Sequence, residues 1–193
     1  GYYCLKQIQF AAENAGLRVF DAETNSMNGG SIRVFICHAK SRHSINEIAL
    51  SKIAKLEAEA KLDDTQTFNA FYTRVNEVGK KLLKVLRNVK AAGKTVHIYG
   101  ASTKGNVLLQ LFGIDRKLID AASERNEWKF GHRTPGTNIP IISEEASRAQ
   151  KPDYYLVLPW HFRDEFVERE QTFINNGGKL IFPLPNVEVY PAG

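Results

Sequence analysis

Gly100-Ala101-Ser102-Thr103-Lys104-Gly105-Asn106 follows Thr95-Val96-His97-Ile98-Tyr99, a strand-like run of β-branched and aromatic residues, and precedes a helix-like run over 107–112. A strand that ends in glycine and passes at once into a helix points backbone N–H groups and the positive end of the helix dipole at one spot, which suits a phosphate. Gly100 permits the tight turn, and Gly105 lets the new helix pack closely. Ser102, Thr103 and Lys104 offer hydroxyl and ammonium donors. Asn106-Val107 breaks the P-loop pattern, which needs Lys and then Ser or Thr after the second glycine, so magnesium–nucleotide chemistry is not expected. The dinucleotide fingerprint G-x-G-x-x-G is met at its first and last glycines, with Ser102 in the middle.

Ligands of open parallel sheets lie beyond the carboxyl ends of the strands. On that edge the sequence places the glycine turn, Glu124-Arg125-Asn126 and Trp160-His161. Glu124 suits ribose or sugar hydroxyls, Arg125, Lys129 and Arg133 suit phosphate, and Trp160 or Phe162 can stack on a base. The segment 130–140, which contains Thr134, is an irregular loop rich in turn residues and hydroxyls, of the kind that closes over ligands.

Three textures position these groups. Residues 1–43 read as a helix stopped by Gly16 and two antiparallel strands (17–22 and 31–37) joined by a loop with Asn28-Gly29-Gly30. Residues 44–93 read as a helical connector with two apolar stripes. Residues 94–193 alternate strand and helix, with strands at 95–99, 118–122, 139–142, 154–158 and 179–182 and a helix over 163–174. Strands separated by helices imply crossover connections, hence an α/β, Rossmann-like, mainly parallel sheet of about five strands flanked by helices.

Composition narrows the function classes. At 193 residues the chain can bury a core, and 43% hydrophobic with 24% charged residues excludes a disordered or fibrous protein. Two cysteines, Cys4 and Cys37, cannot form a disulfide scaffold or a four-thiolate zinc site, and no histidines stand at metal-ligand spacing. Cys37-His38 are neighbours on a strand and point apart, and no G-x-S-x-G elbow occurs. His97, inside a strand, reads as a core histidine. The net charge of +5 suits an anionic ligand without demanding nucleic acid, and a cytoplasmic setting without membrane contact is expected.

Blocks of the sequence resemble a known family. Residues 98–106, Lys129-Phe130-Gly131, 134–141 and 152–162 are similar to the C-terminal domain of the S-adenosylmethionine-dependent C-methyltransferases that act on nucleotide-linked keto-deoxyhexoses in deoxysugar biosynthesis. Tyr2-Tyr3, 16–21 and 29–34 resemble the end of that family's methyltransferase domain. The resemblance implies a three-part enzyme with a cysteine-rich zinc domain, a middle S-adenosylmethionine domain and this Rossmann-like domain. The nucleotide sugar then lies between the last two. It also implies that 1–43 is the end of the middle domain and 94–193 the sugar-nucleotide-binding domain. The zinc cysteines, the S-adenosylmethionine loop and the acid–base cluster belong to segments absent from this sequence. No catalytic residue is therefore expected here, and the fragment alone is expected to be inactive.

The nucleotide-diphosphate sugar is thus expected on Gly100, Ala101, Ser102, Thr103, Lys104, Gly105, Asn106, Glu124, Arg125, Lys129, Thr134, Trp160 and His161, with a homo-oligomer possible. Two other readings stand beside it: a nucleotide- or NAD-binding regulatory module without activity, and a structural or oligomerising domain.

Overall fold

The computed structural model describes residues 3–192, so Tyr2 of the resembling Tyr2-Tyr3 pair lies outside the described residues. The chain forms two compact units, Gly1–Tyr72 and Thr73–Gly193.

In the first unit, α1 (Leu5–Asn14) leads through Gly16 into β1 (Leu17–Asn25), which pairs antiparallel with β2 (Ser31–His38). A helix and a hairpin cannot close a core, and α2 (Glu47–Glu59) supplies the missing layer. Leu50 and Ile53 of α2 pack with Leu5, Ala12, Val19 and Ala22. Val19 and Ala22, three residues apart, share this buried face because a bulge between Val19 and Asp21 inserts one residue into the alternation.

A long helix, α3 (Thr65–Ala91), contains the division between the units, and its later turns pack in the second. There the elements are β3 (Val96–Tyr99), α4 (Thr103–Phe112), β4 (Ala121–Glu124), β5 (Ile141–Ser143), α5 (Glu144–Ala149), β6 (Tyr154–Val157), α6 (Arg163–Arg169), α7 (Gln171–Asn175), β7 (Lys179–Phe182) and β8 (Glu188–Tyr190). The spatial order is β5-β4-β3-β6-β7-β8, parallel except for the antiparallel edge strand β8. This is the Rossmann order, with the direction of progression reversing between β3 and β6.

Both faces of the sheet are covered. Val96, Ile98, Ala122, Ile141, Leu156 and Ile181 point to the face occupied by Leu82, Leu86 and Val89 of α3 and by Leu108 and Leu109 of α4. Their neighbours Tyr99, Tyr155, Val157, Leu180 and Phe182 point the other way, toward Phe166 of α6 and Phe173 of α7. At the amino edge, Asp120 accepts from the Val96 amide at 2.8 Å and from Lys90, while Asp153 accepts from the Thr95 amide and hydroxyl at 2.9 Å and from Lys94.

Several elements differ from the sequence reading. Leu118 and Ile119 are not strand: their amides bond to the Asp115 carbonyl in a turn, and β4 begins only at Ala121. The third strand starts at Ile141, after Pro140. The helix expected over 163–174 breaks at Glu170 into α6 and α7. A sixth strand, Glu188–Tyr190, completes the sheet; it is too short and too closely flanked by Pro185 and Pro191 to read as strand in the sequence.

Candidate functional site

The glycine turn lies at the carboxyl end of β3, beside the reversal point. Gly100 has φ +81°, a conformation that glycine adopts without strain. Its amide bonds the Ser123 carbonyl at 2.8 Å, which holds the turn against β4. Ser102 caps α4, its hydroxyl accepting from the Gly105 amide at 3.1 Å. A Cβ on Gly105 would stand 2.5 Å from Leu158 Cδ1, so the close approach that glycine permits is to the residue following β6, on the far side of the reversal.

Glu124, the last residue of β4, is the hub of the site. Its Oε2 accepts from the Lys129 ammonium at 2.8 Å and the Ala101 amide at 3.2 Å, and its Oε1 from the amides of Arg125 at 2.9 Å and Asn126 at 3.2 Å. Lys129 also donates to the Ala101 carbonyl at 3.0 Å. Burial alone would raise the carboxyl's pKa, but the Lys129 ammonium and the two amides outweigh it and hold Glu124 below the usual carboxylate range. Four donors fill the four lone-pair positions of the carboxylate. A ribose hydroxyl therefore reaches Glu124 only by displacing one of them. Glu124 positions the turn.

Behind the turn, on the α5–α7 face, lies a network the sequence reading missed. Glu170, with its side chain fully buried, accepts from Arg148 at 2.9 and 3.0 Å, from Arg169 at 3.0 Å and from the Tyr99 hydroxyl at 3.0 Å. Burial pushes the Glu170 carboxyl up, and these partners more than reverse the effect. Burial and the neighbouring Glu170 raise Tyr99, which stays a neutral donor. Arg169 lies over the Tyr99 ring at 4.6 Å and bridges toward Glu144 at 3.8 Å. A cleft of about 170 Å³ opens here, lined by Tyr99, Gly100, Ser123, Glu124, Glu144 and Arg169 among others.

Residues 26–185 match the family described as C-methyltransferase C-terminal domain. The chain belongs to this family. It is 36% identical over 191 residues to C-methyltransferase NovU of Streptomyces niveus, an alignment that covers 99% of this chain and 45% of NovU. The chain thus spans about half the length of the curated relative it matches.

In this C-methyltransferase domain the remaining sequence-selected residues fall into separate places. Thr103 and Lys104 are exposed on the first turn of α4, and Asn106 follows with its side-chain oxygen buried and unpartnered. Arg125 pairs with Glu144 at 2.9 Å. Thr134 is buried, and its hydroxyl is spent on Thr137 at 2.6 Å and on the Ile139 amide at 3.0 Å. Arg133 donates to the Asn138 carbonyl in the same loop, which is tied to α4 through Gln110 and the Pro135 carbonyl. Trp160 packs on the α3/α4 face, while His161 is exposed and rests against Phe162. His97 is a core histidine, its Nδ1 2.8 Å from the Ser147 hydroxyl. Among the described residues, no group of three or more His, Cys, Asp or Glu side chains can hold a metal ion, and no helix is long and apolar enough to cross a membrane.

Proposed function

We propose that the second unit holds the nucleotide-linked keto-deoxyhexose substrate of an S-adenosylmethionine-dependent C-methyltransferase. The substrate's diphosphate then sits against the first turn of α4. The observation that carries this reading is the turn itself: Gly100 at positive φ, Ser102 capping, and Gly105 pressed against Leu158 beside the reversal of the sheet. The first-turn amides of a helix have no intrahelical acceptor, and with the dipole they favour an anion. Lys104 adds an ammonium on that turn.

S-adenosylmethionine is the methyl donor under this reading, and when bound it supplies a sulfonium methyl to an enolate of the keto sugar. Glu124, placed where a dinucleotide-type fold holds ribose, already has four protein donors, so it does not fit the ribose of that cofactor. No methyl-transfer step is assigned to this chain, which is expected not to turn over alone. The same saturation of Glu124 weighs against an NAD-binding module.

Calorimetric titration with a nucleotide-diphosphate deoxysugar, NAD and S-adenosylmethionine tests the proposal. Binding of the sugar nucleotide alone, weakened by added salt, supports it. Preferential binding of NAD or S-adenosylmethionine contradicts it.

A further inference from the structure

We propose that a groove at the amino edge of the sheet, opposite the glycine turn, is a second ligand site, for a small organic anion with a flat apolar body. It does not depend on the sugar-nucleotide reading. The groove, about 600 Å³, lies where α5 and α7 end and β6 and β7 begin, and it has the size of an ordinary small-molecule site. Its polar groups set the charge of the ligand. The Lys151 ammonium, the Thr172 hydroxyl and the Asn176 amide line it and are exposed, and among the described residues none of these side chains has a partner. Arg148 also lines it, with its side chain 46% exposed. Three of its five N–H groups serve Glu170 and the Tyr99 hydroxyl, so two remain for a ligand. The carboxylate at the groove, Asp153, is already held by Lys94 at 2.8 Å and by the Thr95 amide and hydroxyl at 2.9 Å. Lys151 is therefore uncompensated. The carbonyl ends of α5 and α7 oppose an anion little, because the amides of Gln150, Lys151, Gly177 and Gly178 cap them.

The two turns that border the groove are built alike, with one difference. After α7 the chain passes its C-cap, Asn176, into Gly177 at φ +90°; after α5 it passes Gln150 into Lys151 at φ +50°. Glycine is the usual residue in this left-handed position, so a lysine stands where helix termination alone favours none. The apolar part of the groove is Phe173. Its ring lies over Gly178, where a Cβ would stand 2.3 Å from the ring Cζ, and it packs edge-on against the Tyr155 ring at 4.9 Å. The half-buried ring is thereby fixed, and a flat body can lie against it while an acidic group meets Lys151 and Arg148.

Amide NMR shifts with three probes test the site: benzoate, phenyl phosphate and benzyl alcohol, each added separately to the protein. Saturable shifts at Lys151, Phe173 and Gly177 with either acid, and none with the alcohol, support it, and the tighter acid reports whether the head group is a carboxylate or a phosphate. Lys151→Gln should weaken that acid about fivefold, the loss of one exposed charged hydrogen bond. Lys151→Gly should weaken it equally and leave thermal stability at or above that of the parent, since glycine suits the left-handed turn. Shifts with the acids only at 100–105, or none, overturn the site. Equal binding of benzyl alcohol, or undiminished acid binding in both lysine variants, overturns its anionic chemistry.

Discussion

The Lys129 ammonium lies 2.8 Å from Glu124 Oε2, and the same ammonium bonds the Ala101 carbonyl at 3.0 Å. One side chain therefore ties the end of β4 to the turn after β3. The site is built around a positioned backbone more than around groups free to meet a ligand.

Replacing Lys129 by Met removes that tie and leaves the largely buried Glu124 carboxylate without its counter-charge. Lys129 is partly exposed, so solvent screening limits the loss to about 1–2 kcal/mol in urea unfolding. Sugar-nucleotide affinity should fall with it as the turn loosens. Unchanged stability and affinity would show that the pair does not organise the turn.

Gly105→Ala opposes two effects. Alanine is the better helix former by about 1 kcal/mol. Its Cβ, however, would meet Leu158 at 2.5 Å, and such overpacking costs about 1–3 kcal/mol. Net destabilisation is predicted, with partial recovery in a Gly105→Ala/Leu158→Ala double-mutant cycle. A Gly105→Ala protein more stable than the parent would refute the close approach.

Glu170→Gln leaves Arg148 and Arg169 around a neutral amide in place of a fully buried carboxylate. Destabilisation of about 3 kcal/mol is predicted by chemical denaturation, because the guanidinium groups lose the charge they were desolvated to meet.

These contacts mark the reach of sequence reading. The β3 turn was legible because Gly100 and Gly105 carry their conformational meaning locally, and the parallel sheet because strands and helices alternate. Glu170 was not legible. It lies 71 residues from Tyr99, in a run of mixed charges that reads as a solvated helix face. The polar alternation of His97 and Tyr99 in β3, with Tyr155 in β6, was the available signal that one face of the sheet is not purely apolar. β4 slipped by three residues because Leu118 and Ile119 are as apolar as a strand while their amides serve a turn. The glycine turn, Glu124, Arg125 and Lys129 converge in space. Thr134 and Trp160 are engaged elsewhere, since loop closure and face assignment depend on tertiary packing that spacing does not encode.

pH separates two sets of groups. Burial lowers the pKa of His97, so the unfolded chain binds its proton first. The stability this gives is full above about pH 6.5 and is lost as pH falls from there through the lower folded-state value. The carboxylates of Asp153, Glu170 and Glu188 are also held low, each by a cationic partner. Their contribution is intact above about pH 4 and is lost only on further acidification. Thermal unfolding from pH 8 to 3 should therefore show two declines. His97→Gln should abolish the first and leave the second, and a first decline that survives this change would assign it to another group.

The central claim is that a diphosphate binds at the start of α4. A crystal structure with a nucleotide-diphosphate deoxysugar tests it most directly. The account predicts phosphate oxygens within hydrogen-bonding distance of the amides of the 102–104 turn, with binding lost in Gly100→Val. Diphosphate bound elsewhere while that turn stays vacant, or undiminished affinity in Gly100→Val, would contradict it.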